Sequence, residues 1–189
     1  MEPGTGSKDM KEKTIINFGD AGEKERWEPL NDVVMGGRSE GGMSVADGAA
    51  VFTGRVSLEN SGGFASVRSL PQEFDLTGYD GLIVEVRGDG RRYRLRLKTD
   101  DDFEGFAYQA TFFTDPAGWT EARLSFEEFF PVFRGRLVDG APGLDPSRIR
   151  RVGFMIADRQ EGPFRLEIRE VKAYSEDGKR RKGHSAKKP

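Results

Sequence analysis

Residues 91–99 read RRYRLRLKT. On an extended chain, successive side chains point to opposite faces, so Tyr93, Leu95 and Leu97 share one side and Arg92, Arg94, Arg96 and Lys98 the other. A helix would scatter both sets around its circumference. The stretch is therefore a strand with one buried face. Just before it, residues 82–88 (LIVEVRG) alternate in the same way, with Leu82, Val84 and Val86 against Ile83, Glu85 and Arg87, and Gly88-Asp89-Gly90 supplies the turn between the two.

Working outward, the same pattern recurs. Residues 15–18 form a short strand. Residues 43–45 and 49–58 pair around Asp47-Gly48, a strong hairpin signal. Further strands cover 64–70, 106–114, 119–126, 151–157 and 164–174, which makes roughly nine to eleven in all. Helix is confined to single turns: Ser125 with Glu128 has the form of a capping box, and Asp145-Pro146-Ser147 places an N-cap ahead of a proline at the first helical position.

Antiparallel strands joined by turns bury their apolar faces either against a second sheet or by closing on themselves. The predicted fold is all-β, a β-sandwich of jelly-roll type. A closed up-and-down barrel ranks lower, because the long loops 19–42 and 133–146 read as crossovers between sheets. The domain is expected to span 14–174, between a disordered segment 1–13 and a basic, disordered tail 175–189.

With 189 residues the chain suffices for one domain, and 14 Phe and 25 Gly suit a turn-rich β protein with an aromatic core. Cysteine is absent, which excludes disulfides, thiolate nucleophiles and Cys-ligated zinc. The single histidine, His184, lies in the tail. Proton transfer near neutral pH usually draws on His or Cys, so a non-catalytic protein without cofactor is expected. A hydrolase using two carboxylates ranks last; Glu85 with Asp158 is one conceivable pair. No apolar run approaches the length of a membrane span, and residues 1–13 lack the apolar stretch of a secretory signal, so a cytoplasmic location is expected. The formal charge of −2 combines an acidic body with a basic tail; the short cluster Lys179–Lys182 gives no basis for nucleic-acid binding.

Two loop-like segments carry unusual residues. Residues 27–39, WEPLNDVVMGGRS, are broken by Pro29 and Gly36-Gly37. The Asn31-Asp32 side chains suit hydrogen bonds to nearby backbone amides, with an Asp32–Arg38 ion pair pinning the loop. Residues 52–64, FTGRVSLENSGGF, follow closely. The cationic row of 92–98 needs neutralising partners, for which Glu85 and Gln109 are available, or a ligand carboxylate, phosphate or acidic peptide held by arginine forks. Arg134 and Arg136 extend that row. The candidate binding residues are thus Asn31, Asp32, Arg38, Ser39, Arg94, Arg96, Lys98, Gln109, Arg134 and Asp158. Trp27, Trp119, Tyr79, Tyr93 and Tyr108 are the conceivable sugar-stacking platforms, although packed aromatics are the commoner outcome. Asp100, Asp101, Asp102 and Glu104 make a conceivable calcium loop, but their spacing lacks the alternating ligand pattern and no metal is expected.

Taken in order, the segments 31–39 (NDVVMGGRS), 52–54 with 62–68 (FTG and GGFASVR), 93–97 (YRLRL) and 153–158 with 162–164 (GFMIAD and GPF) resemble the complex I intermediate-associated protein 30 family, over roughly residues 14–174. The resemblance implies a galactose-binding-domain-like jelly roll, similar to carbohydrate-binding modules. It also implies a non-catalytic role in assembling respiratory complex I, with its subunits or assembly intermediates as partners. The acid-containing N-terminus differs from an Arg-rich transit peptide and suggests a stand-alone bacterial-type member. A carbohydrate-binding module is the alternative.

Overall fold

The computed structural model describes residues 10–100 and 105–176. Among them thirteen strands run β1 Lys11–Asn17, β2 Trp27–Pro29, β3 Glu40–Ala46, β4 Ala49–Val56, β5 Ala65–Ser69, β6 Gly81–Arg87, β7 Arg92–Lys98, β8 Ala107–Phe113, β9 Thr120–Ser125, β10 Phe130–Phe133, β11 Arg136–Leu137, β12 Arg151–Ile156 and β13 Gly162–Ser175. Helix among the described residues is limited to short 3-10 turns. One of them, Phe126–Glu128, carries the expected capping box at Ser125. Another, Pro146–Arg148, is capped by the Asp145 side chain.

The strands form two antiparallel sheets stacked as a jelly-roll β-sandwich. The six-stranded sheet has the order β3-β4-β13-β6-β9, with β1 also on β13; the seven-stranded sheet has the order β11-β10-β8-β7-β12-β5-β2. Two separate ladders rule out the single closed barrel. Strand β13 is the spine of its sheet. Along one edge it pairs first with β4, through Gly162 to Ile168, and then with β1, through Glu170 to Ser175. Its other edge pairs with β6, and there Arg169 is an extra residue between Ile168 and Glu170. This bulge moves the inward set from Phe164, Leu166 and Ile168 to Val171 and Ala173, which keeps both halves of a 14-residue strand facing the same core.

Between the sheets, Phe52, Leu82, Val84, Leu166 and Ile168 meet Tyr93, Leu95, Leu97, Phe112, Val152 and Phe154. Trp27 packs between Phe18 and Phe154, with ring centroids 5.3 and 5.8 Å away, and its indole N–H donates to Glu23 at 3.0 Å.

Several expectations need correction. Pairing starts at Lys11, because β13 extends far enough to partner it. Residues 27–29 are a short edge strand on β5 rather than loop, since Trp27 has a core to enter. The strand count exceeds the expected range because β2 and β11 are too short to show any period. Loop 19–42 does leave and re-enter the six-stranded sheet, but 133–146 begins and ends within the seven-stranded one, so it is not a crossover between sheets.

Leu95 is fully buried at the centre of β7. Leu95→Ala is expected to cost about 3 kcal/mol, measured by urea unfolding followed through tryptophan fluorescence.

Candidate functional site

Because β7 commits Tyr93, Leu95 and Leu97 inward, Arg92, Arg94, Arg96 and Lys98 stand on the outer face of the seven-stranded sheet. The cross-strand register sets their neighbours. One row runs Glu28, Arg68, Gly153, Arg96, Gln109, Phe130, and the adjacent row Ser66, Met155, Arg94, Thr111. Above these rows lies an open cleft of about 790 Å³, walled by Leu30, Phe64, Val132, Phe133, Met155 and Arg159 among others. Beside it, a hollow of about 80 Å³ sits over Gly153, between Arg68 and Arg96. A Cβ on Gly153 would stand 3.0 Å from the Val67 carbonyl oxygen, so even the smallest side chain there is crowded.

The cations of this face are unequally matched. Asp158 takes Arg92 at 3.1 Å and also pairs with Arg94. Lys98 lies 3.4 Å from Asp100 and donates to the Gly105 carbonyl. Glu28 accepts from Arg68 at 2.8 Å and from Arg151 at 3.3 Å. Within the β7 row only Arg96 has neither a hydrogen bond nor an ion pair among the described residues, and its Nε is buried. Burial, followed by the charges of Arg94 and Arg68, pulls its guanidinium down from 12.5 to about 10, so it still carries its charge at neutral pH. Glu85, one expected neutralising partner, belongs to the opposite sheet, where it pairs with Arg169 at 2.6 Å. Glu85 and Asp158 therefore occupy opposite outer faces, each held by arginine, and cannot share a hydrolytic cleft.

Backbone strain gathers around the cleft. Arg134, Asp158 and Arg159 all line it with left-handed φ of 48, 61 and 55°. Non-glycine residues hold such angles at a cost of about 1–3 kcal/mol each, and they concentrate where a side chain must be aimed.

Of the expected binding residues, the fold gathers Arg94, Arg96, Gln109, Arg134 and Asp158 around the cleft and Lys98 beside the hollow. The 27–39 set is used otherwise. Asp32 is buried and accepts from the backbone N–H groups of Ser39 at 2.8 Å, Gly63 at 2.7 Å and Phe64 at 3.3 Å. Asn31 donates to the Gly41 carbonyl and accepts from the Ser66 N–H. Ser39 exchanges hydrogen bonds with the backbone of Ser57. A Cβ at Gly37 or Gly62 would lie 2.4 or 2.5 Å from the Asp32 carboxylate, which explains both glycines. The expected Asp32–Arg38 pair does not form: Asp32 faces inward, and Arg38 points out to Glu59 at 2.9 Å. These residues tie loop 27–39 to 57–66 and so shape one wall of the cleft, where Leu30 and Phe64 emerge.

Among the stacking candidates, Tyr93 and Tyr108 are buried and Trp27 is packed. Trp119 lies on the six-stranded side under Arg87 and Arg169, 5.1 and 4.0 Å from its ring. Three of the four acids of the calcium reading, at 101, 102 and 104, lie outside the described residues. Sequence reasoning missed Leu30, Phe64, Val132, Phe133, Met155 and Arg159. Only Met155 had a signal, the alternation of 151–156.

The family model described as complex I intermediate-associated protein 30 matches residues 16–168. The chain belongs to that family. Relatives include the mitochondrial complex I intermediate-associated protein 30 of Mus musculus, 28% identical over 177 residues covering 82% of this chain and 54% of the relative. The Drosophila melanogaster protein of the same name is 30% identical over 167 residues, covering 76% of this chain and 56% of the relative. The chain thus spans about half the length of these relatives. An uncharacterized Schizosaccharomyces pombe protein is 27% identical, covering 80% of this chain and 81% of that one. In fold the chain is similar to a family 11 carbohydrate-binding module from Clostridium thermocellum, solved with a β-1,3-1,4-mixed-linked tetrasaccharide, at a TM-score of 0.65 and 15% identity over 87% of this chain and 96% of the module. A family 29 module solved with cellulohexaose gives 0.52 at 12% identity, over 88% and 92%. At such identities the likeness is one of fold alone. No helix among the described residues is long and apolar enough to cross a membrane.

Burial pushes the Asp32 carboxyl up, but hydrogen bonds from Ser39, Gly63 and Phe64 outweigh it and hold the group below its ordinary 3.8. Its contribution to stability is therefore present above the unfolded carboxylate range and lost as pH falls through the lowered folded value. Asp32→Ala is expected to cost about 3 kcal/mol at neutral pH, and Asp32→Asn to flatten the loss of stability below about pH 4, both read from urea melts across a pH series.

Proposed function

We propose that this chain is a non-catalytic binding protein that docks a protein partner in the cleft of the seven-stranded sheet, the partner being a subunit or assembly intermediate of respiratory complex I. One observation carries the reading: the cleft combines guanidinium groups with open apolar side chains, Phe133 being 37% exposed, on the rigid face of a sandwich. A mixed apolar and cationic surface of this kind suits a protein partner, for which aromatic and arginine side chains supply most of the anchoring energy. Family membership supports this class of partner, since the mouse and fly relatives are named for association with a complex I intermediate. Loop 27–39 contributes through Leu30 in the wall and through exposed Val33. On this reading the protein works in the cytoplasm and uses no cofactor.

Carbohydrate binding is the second reading, favoured by the fold shared with modules solved with oligosaccharides. Against it, the tryptophans and most of the tyrosines are packed in the core or covered by arginine, and the cleft floor offers few neutral polar groups besides Gln109.

Recovery of tagged protein from its native cells under mild detergent is expected to bring complex I subunits with it. The double variant Phe133→Ala/Arg134→Glu is expected to reduce that recovery by about tenfold or more with an unchanged melting temperature. Calorimetric titration with the mixed-linked tetrasaccharide is expected to give no heat. Heat of binding from the sugar, together with no subunit recovered, would overturn the reading.

A further inference from the structure

Arg96 sits on the floor of the cleft with a buried Nε that has no partner, and the Nε of neighbouring Arg94 is likewise buried and unpartnered. Every other cation of the β7 row has a carboxylate beside it. A guanidinium drawn part-way out of water, its Nε buried and without a counter-charge, costs the free protein stability, and that cost is recovered when a carboxylate arrives. The planar guanidinium fork matches two carboxylate oxygens at once. Gly153 next to Arg96 in the register leaves space over the fork on one side, and Gln109 flanks it on the other.

We infer that Arg96 is the recognition point for an acidic side chain of the partner: an Asp or Glu on an extended peptide segment, its carboxylate gripped by Arg96 and its apolar neighbours lying against Leu30, Phe64, Phe133 and Met155. The inference rests on the docking reading above and gives its ligand a chemistry. The walls decide the source of the carboxylate. Apolar side chains stand on both sides of the guanidinium, Leu30 and Phe64 on one and Val132 and Phe133 on the other, interleaved with the charged Arg94, Arg134, Asp158 and Arg159, so the cleft complements an acid flanked by apolar side chains. A bare phosphate would leave the walls uncovered, and an acidic sugar would strand its hydroxyls against them.

Selection of a phage-displayed random peptide library on the full chain tests this. Enriched peptides are expected to carry Asp or Glu beside apolar residues. In synthetic form they should lose about tenfold or more in affinity when that acid becomes its amide, or when the protein carries Arg96→Met, since a charge-assisted pair is worth at least that much. Arg96→Lys, which keeps the charge without the fork, should fall between. Because Arg96 is unpaired in the free chain, Arg96→Met should also raise the melting temperature, by about 3 °C. Enriched peptides without an acid, binding indifferent to Arg96→Met, or a lowered melting temperature would overturn the carboxylate inference and leave docking intact. Peptides indifferent to Phe133→Ala/Arg134→Glu would instead overturn the docking reading. Binding of polygalacturonate or inorganic phosphate with no peptide enriched would overturn the inference as well.

Discussion

Strand β7 can satisfy the core in only one way. Tyr93, Leu95 and Leu97 must all enter the space between the sheets, and the period of an extended chain then forces Arg92, Arg94, Arg96 and Lys98 onto the outside. The cationic floor of the candidate site follows from that. The register with β12 puts Met155 and Gly153 beside Arg94 and Arg96, and the register with β8 puts Thr111 and Gln109 on the other flank. A slip of one residue in either ladder would bury the guanidinium groups and expose the apolar side chains, so the same hydrophobic burial that stabilises the sandwich also fixes the composition of the candidate face.

Loop 27–39 solves a different problem. A chain passing from one sheet to the other carries backbone N–H groups away from any ladder, and Asp32 collects three of them on a single buried carboxylate. The arrangement leaves no room for a Cβ at Gly37 or Gly62, so the acid and the glycines form one unit. It fixes the wall from which Leu30 and Phe64 reach the cleft. Residues that look like a ligand site in the sequence are here the frame of the candidate cleft.

The sandwich was legible because alternation is a local property: β6, β7 and the β3–β4 hairpin show it within a few residues. Edge pieces such as Trp27–Pro29 and Arg136–Leu137 are too short for any period, and they exist only because a neighbouring strand offers hydrogen bonds. The site divided along the same line. Arg94 and Arg96 were visible because their strand is regular, whereas Phe64 and Arg159 reach the cleft from separate loops and Phe133 from the end of the short strand β10, and only tertiary structure brings them together. That Asp158 rather than Glu85 pairs with Arg92 and Arg94 was equally invisible, since the choice depends on which sheet each strand joins.

Trp119 gives the sandwich a back. Arg87 and Arg169 lie over its ring while Glu167 and Glu85 hold their guanidinium groups, the second of them delivered by the bulge in β13. The arginines beside Trp119 are thus already matched by carboxylates. On the docking reading, matched charge around Trp119 leaves the seven-stranded face as the adhesive one, which suits a place at the end of an assembly and not a bridge between neighbours.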